Sequence, residues 1–180
     1  MKVASLQLLS IENGPGARVS LFVSGCRRHC PGCHNEQAWD FNYGEPYTQK
    51  HHDYIIDLLK QEEYAGLSIL GGEPMEPENE PELIQLCKDI RKECPTEKTI
   101  ILYSGYMYDE IKDRELLKHI DWLIDGPYIE QLRDITLEYR GSSNQSIIFF
   151  PRKEVITNPI PFKHAICDTE LNNSQKIQTP

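Results

Sequence analysis

Residues 19–33 read VSLFVSGCRRHCPGC: an apolar run from Val19 to Ser24, then Gly25, then cysteines at 26, 30 and 33. A near-continuous apolar run ended by glycine predicts a strand covered on both faces. The rest of the chain repeats the pattern. Leu67–Leu70 runs into Gly71-Gly72-Glu73-Pro74, Thr99–Tyr103 into Ser104-Gly105, and Trp122–Asp125 into Gly126-Pro127, with Ser146–Phe150 as a fifth strand. Glycine lets backbone turn sharply or approach a ligand closely, and in α/β folds ligands sit at the C-terminal edge of the strands.

Between these strands the apolar spacing becomes helical. Thr48 is placed to cap a helix through about Tyr64, with Tyr54, Ile55, Leu58 and Leu59 on its apolar side. Asn79 is placed to cap a second to about Lys92, with Leu83, Leu86, Cys87 and Ile90 inward, and Tyr108–His119 reads as a third helical stretch. Strands alternating with helices predict a single α/β domain with parallel strands. The chain's 180 residues hold one domain with a real core but fall short of the ~250 of a full eight-unit barrel. An open, partial (β/α) barrel is therefore expected over residues 1–156. Residues 157–180, rich in Asn, Pro, Gln and Thr, are expected to form a poorly ordered polar tail.

Nineteen Lys and Arg against 28 Asp and Glu give a net charge of −9. A surface that tracks phosphates needs clustered basic residues, so no nucleic-acid partner is expected; Arg27, Arg28 and His29 form the one candidate basic patch. No apolar run approaches the ~18 residues of a membrane span. The first sixteen residues carry one Lys and a very short apolar stretch, so no signal peptide and a cytoplasmic location are expected.

In a reducing compartment, three cysteines within eight residues read as metal or redox chemistry. The spacing Cys26-x3-Cys30-x2-Cys33 lets three thiolates grip three corners of a cubane iron–sulfur cluster, leaving the fourth iron free to hold a substrate. The alternative is structural zinc, completed by His29 or His34, although zinc folds normally pair two half-sites and no second one is present. Cys87 lies on a helical apolar stripe and reads as core, Cys94 precedes Pro95 at a helix end, and Cys167 falls in the tail.

The trio after the first strand resembles the radical S-adenosylmethionine (SAM) superfamily. Many members have an aromatic residue before the third cysteine; here that position is Gly32, with a ring following at His34. The segments Asn13–Arg18, Leu21–Cys26, Cys30–Asn35, Gly71–Pro74, Leu123–Gly126 and Arg140–Gln145 together resemble a narrower family, the activating proteins of anaerobic ribonucleoside-triphosphate reductase, over about residues 11 to 150.

This resemblance implies one [4Fe–4S] cluster on Cys26, Cys30 and Cys33, with SAM chelating the open iron. Reductive cleavage of SAM would yield a 5′-deoxyadenosyl radical, which takes a hydrogen from a glycine of the large reductase subunit. The electron would come from a donor such as a flavodoxin. Gly71, Gly72, Glu73 and Pro74 would surround the SAM amino group, with Glu73 supplying negative charge, and Gly32, Cys33 and His34 would flank SAM, His34 near the adenine. Ser104 and Gly105 are candidates for the ribose or carboxylate, or simply a turn after a strand. Arg140 could meet the SAM carboxylate, the partner's surface or a structural ion pair, and no role follows for Asp125. Trp39, Phe41 and Tyr43 could shield the site, dock the partner or pack in the core. An open side of the barrel would admit a glycine-bearing loop.

Overall fold

The apolar run quoted above forms an interior strand of a mixed sheet. The computed structural model describes residues 1–151 and 166–167. Its strands are β1 (Lys2–Ser10), β2 (Arg18–Val23), β3 (Glu45–Pro46), β4 (Gly66–Gly71), β5 (Thr99–Tyr103), β6 (Trp122–Asp125), β7 (Ser146–Phe149) and a two-residue β8 (Ile166–Cys167). The α-helices are α1 (Gln49–Leu59), α2 (Glu80–Glu93) and α3 (Tyr108–Ile111). The strand order is β3-β1-β2-β4-β5-β6-β7-β8. Apart from β8 and its pairing with β7, the expected tail at 157–180 lies outside the described residues.

The chain is an α/β domain, but its strands are not all parallel. β2, β4, β5 and β6 pair in parallel, whereas β1 runs antiparallel to β2 and β7 antiparallel to β6. A parallel neighbour requires a crossover, usually helical. Residues 126–145, between β6 and β7, contain no α-helix, only a 3-10 turn at Glu130–Leu132 and an antiparallel bridge between Arg133 and Ser142, and the chain returns beside β6 in the opposite sense. The described strands form an open row with β3 and β8 at its edges.

Period-2 alternation divides the sheet into two unlike faces. Val19, Leu21, Val23, Leu67, Ile69, Ile100, Leu102, Leu123 and Ile148 pack with Ile55 and Leu59 of α1 and Leu83, Leu86, Cys87 and Ile90 of α2 in the main core. The opposite face carries a smaller cluster of Ile101, Ile124 and Ile147, flanked by Tyr103, Trp122, Tyr139 and Phe149.

At one end of this second face stands Arg18, fully buried. Its guanidinium donates to Ser68 Oγ (2.8 Å), Thr99 Oγ1 (2.9 Å) and the carbonyls of Pro15, Leu67 and Thr99 (3.3, 2.8 and 2.8 Å). Ser10 and Ser20 meet through their hydroxyls at 2.6 Å beside it. Buried polar groups of this kind persist because they are paired.

Two helices differ from the sequence reading. The first ends at Leu59 rather than Tyr64, because Lys98 Nζ takes the carbonyls of Gln61 and Tyr64, each at 2.6 Å, and draws the chain toward β5. The stretch Tyr108–His119 divides into α3 and a 3-10 turn, Glu115–His119. Arg114 between them is extended (φ −74°, ψ 141°), with its side chain bonded to Glu80 and the Met75 carbonyl.

Candidate metal centre and its cavity

β2 delivers the cysteine loop to the end of β4. Gly72 N–H donates to the Val23 carbonyl (2.7 Å) and Glu73 N–H to the Gly25 carbonyl (2.8 Å), while Gly25 and Cys26 donate to the carbonyls of Ala38 (2.8 Å) and Trp39 (3.1 Å). A Cβ on Gly72 would lie 2.6 Å from the Gly25 oxygen and 2.7 Å from that of Ala38. Only glycine permits this approach. Asn79 stands just before α2 as expected, but its side chain does not cap the helix: it donates to the Ser24 and Glu73 carbonyls (2.9 and 3.0 Å), bracing the same junction.

A cavity of about 420 Å³ opens here, on the sheet face that carries no α1 or α2. That volume suits a small-molecule ligand, for which ~300–1,000 Å³ is usual. Cys26, Cys30 and Cys33 all line it, together with His34, Gly71, Gly72, Glu73, Ser104 and Gly105. Seven of the nine residues assigned to cofactors from sequence are thus brought together: Cys26, Cys30, Cys33, His34, Gly71, Gly72 and Glu73. Gly32 and Pro74 do not line this cavity. Pro74 is buried in the turn beyond it, and Gly32 (φ 74°) lines a neighbouring pocket of about 360 Å³ with His34, Tyr128 and Glu130. A Cβ on Gly32 would stand 2.6 Å from the Glu130 carboxyl carbon, so the glycine makes room for that side chain.

All three loop cysteines are free thiols, Cys26 buried and the others half-buried. Burial pushes the Cys26 thiol up, and metal binding has to displace its proton. Among the described residues no group of three or more His, Cys, Asp or Glu is placed to hold a single metal ion. Zinc gathers its ligands within about 2.0–2.3 Å of one centre, whereas a cubane takes its thiolates on separate irons. The donor set, three thiols on one loop around a cavity, fits a cluster. Of the two histidines proposed for zinc, His29 stacks on Trp39 with centroids 4.6 Å apart, and His34 meets Tyr128 edge-on at 6.0 Å. Cys87 is wholly buried in the main core, as its stripe position predicts.

Glu73 is 1% exposed, and its carboxylate is held by three donors. It accepts from Met75 N–H (2.9 Å), the Ser104 hydroxyl (2.9 Å) and Gly105 N–H (2.7 Å). Burial pushes this carboxyl up to about 7, against the pull of those three donors and of Arg28. The candidate basic patch is largely occupied. Arg27 is bound by Glu76 and Glu78, while the Arg28 guanidinium lies 4.6 Å above the Tyr106 ring.

The aromatic loop divides its tasks. Trp39 and Tyr43 line the cavity, and Phe41 lies under Arg27 at 4.3 Å. Sequence reasoning assigned no role to Asp125 or to most of Arg140–Gln145. Asp125 accepts from the N–H groups of Tyr108 (2.8 Å) and Ser146 (3.2 Å). Gln145 accepts from Gly141 and Ser142 N–H (2.8 and 3.2 Å) and donates to the Gly126 carbonyl (3.0 Å), while Asn144 donates to that of Pro127 (2.8 Å). The segment thus laces the β6–β7 loop onto the end of β6. Arg140 donates to the Gln145 carbonyl (3.2 Å), and its Nε is buried without a hydrogen-bond partner.

A family model described as a 4Fe-4S single cluster domain matches residues 12–148, spanning all three cysteines. Anaerobic ribonucleoside-triphosphate reductase-activating proteins from Vibrio cholerae and Escherichia coli K12 are 44% and 41% identical over 143 residues, covering 77% of this chain and 92% of theirs. The chain belongs to this family of activating proteins. A member from Enterobacteria phage T4 is 38% identical over 135 residues, covering 75% of this chain and 85% of its own. The span matched by the family model holds the three loop cysteines and most of the residues that line the cavity, Ala4, Ser5 and Gln7 of β1 lying before it. No helix among the described residues is long and apolar enough to cross a membrane.

Proposed function

We propose that the protein is a radical SAM activating enzyme that cleaves SAM reductively and installs a glycyl radical on the large subunit of anaerobic ribonucleoside-triphosphate reductase. The observation that carries this reading is the convergence of Cys26, Cys30 and Cys33 with Gly71, Gly72 and Glu73 on one cavity, in a chain of the activating-protein family.

Cys26, Cys30 and Cys33 would hold a [4Fe–4S] cluster, which when bound would supply the electron for reductive cleavage of SAM. The protein's part is placement and exclusion of water. Glu73, fixed by Ser104 and Gly105, is a buried carboxyl in the cavity wall that would face the SAM ammonium. His34 and Tyr128 form the wall near the cysteine loop, and Trp39 and Tyr43 line the cavity and would help to exclude water from it. The cavity face of the sheet, which carries neither α1 nor α2, would admit the glycine-bearing segment of the reductase. The electron comes from a donor such as a flavodoxin, in the cytoplasm.

Anaerobic reconstitution with iron and sulfide, followed by dithionite and SAM, tests the reading. 5′-Deoxyadenosine and methionine are expected in equal amounts, and serine at position 26, 30 or 33 should abolish both. A protein that holds iron but leaves SAM intact on reduction would overturn it.

A further inference from the structure

Each of the three residues between Cys26 and Cys30 is seated on an aromatic ring: Arg27 on Phe41 (4.3 Å), Arg28 on Tyr106 (4.6 Å) and His29 on Trp39 (4.6 Å). Arg27 is also clamped by two carboxylates. Its backbone N–H donates to Glu76 Oε1 at 2.9 Å, and its guanidinium donates to Glu76 Oε2 and to both oxygens of Glu78. Glu76 is 1% exposed, and Arg27 is its ion-pair partner. A carboxylate buried so deeply needs a charged partner held in place. Glu76 and Glu78 follow directly on the Gly71–Pro74 turn, so the clamp ties the cysteine loop to the segment that lines the opposite wall.

We propose that Arg27 is a positioning residue that sets the Cys26–Cys30 span in its receiving conformation before any cluster is bound. This rests on the reading of the three cysteines as cluster ligands. The guanidinium fork holds two carboxylates at once in a fixed planar geometry, which the flexible ammonium of lysine does not impose. Half of the Arg27 side chain faces solvent, at 55% exposure, so its removal opens no core cavity, although it takes the ion-pair partner from Glu76. The bonded N–H belongs to the residue after Cys26, and loosening the clamp therefore frees the first ligand of the trio.

The test starts with the metal-free, reduced protein. Alkylation of Cys26 by iodoacetamide, followed by peptide mass spectrometry, should be slow in the parent, whose Cys26 is 8% exposed. In Arg27→Ala it should be about tenfold faster, as expected when charge-assisted bonds to a buried acid are lost. Arg27→Lys and Glu78→Gln should fall between, with thermal midpoints close to the parent's. After reconstitution, Arg27→Ala should release iron to a chelator several-fold faster than the parent. A parent that takes up no iron and sulfide would sink the cluster reading itself. A parent that holds its cluster, beside an intact Arg27→Ala with unchanged alkylation and iron-release rates, would overturn the role of Arg27 alone.

Discussion

The Ser104 hydroxyl donates to Glu73 Oε1 at 2.9 Å, joining the turn after β5 to the turn after β4 through a single buried carboxylate. Gly105 N–H completes the joint on the other oxygen at 2.7 Å. The cavity wall opposite the cysteine loop is therefore one hydrogen-bonded unit, and its shape depends on the charge state of Glu73.

That dependence sets a pH profile. The Glu73 carboxyl is raised by burial from 4.5 to about 7 in the folded chain. The stability it contributes is complete below its unfolded value and is lost as pH rises through the folded one. In the metal-free protein this loss is on the order of 3 kcal/mol between about pH 4.5 and pH 7. Urea unfolding of Glu73→Gln should lack that part of the slope. Parallel pH profiles for the two proteins would contradict the assignment.

Two of the cavity glycines, Gly72 and Gly105, should respond differently to alanine. At Gly72 the new methyl meets two backbone oxygens, at 2.6 and 2.7 Å, and neither can yield. Gly72→Ala should cost roughly 1–3 kcal/mol in chemical unfolding, with or without a ligand. At Gly105 the obstacle is the Arg28 side chain, its Cδ 2.5 Å away. That chain can swing aside, so Gly105→Ala should stay within roughly 1 kcal/mol of the parent.

Arg18 should prove to be the most costly charged residue to remove. Burial lowers its pKa only to about 10, so it remains a cation at neutral pH. Arg18→Met leaves the Leu67, Pro15 and Thr99 carbonyls without this donor, and should cost on the order of 3 kcal/mol or more. A denaturant midpoint equal to the parent's would show that the bonds are dispensable.

The cysteines should sort into two classes. Cys30→Ser should lose iron while leaving apo-protein stability nearly unchanged, because Cys30 is only half-buried. Cys87→Ala should keep its iron but lose roughly 1 kcal/mol, since the thiol is fully enclosed in the main core. Iron assays and thermal melts on the two variants separate the classes.

What sequence could reveal was local. The strands at Val19, Leu67, Thr99, Trp122 and Ser146 each carry their own apolar run, and the structure places all five within a residue or two. The cysteine trio was legible for the same reason, since its three thiols share one loop. β1 was missed because Leu8 and Leu9 are exposed and its alternation is weak; pairing with β2 makes it a strand. The antiparallel return of β7 depends on a loop laced by Gln145 and Asn144, a tertiary fact with no periodicity to betray it. Arg18 opened a strand like any charged residue, and nothing nearby in sequence announced its burial. The Arg27 clamp joins residues 49 and 51 positions apart, beyond the reach of any spacing rule.

Electron paramagnetic resonance on the anaerobically reconstituted protein, reduced and mixed with SAM and the large subunit of the cognate anaerobic reductase, bears most directly on the three-thiolate site. A glycyl doublet on the reductase is expected, absent when SAM is omitted or Cys26 is replaced by serine. A reduced cluster signal that SAM leaves unchanged, with no doublet, would contradict a vacant iron at the centre of this protein's chemistry.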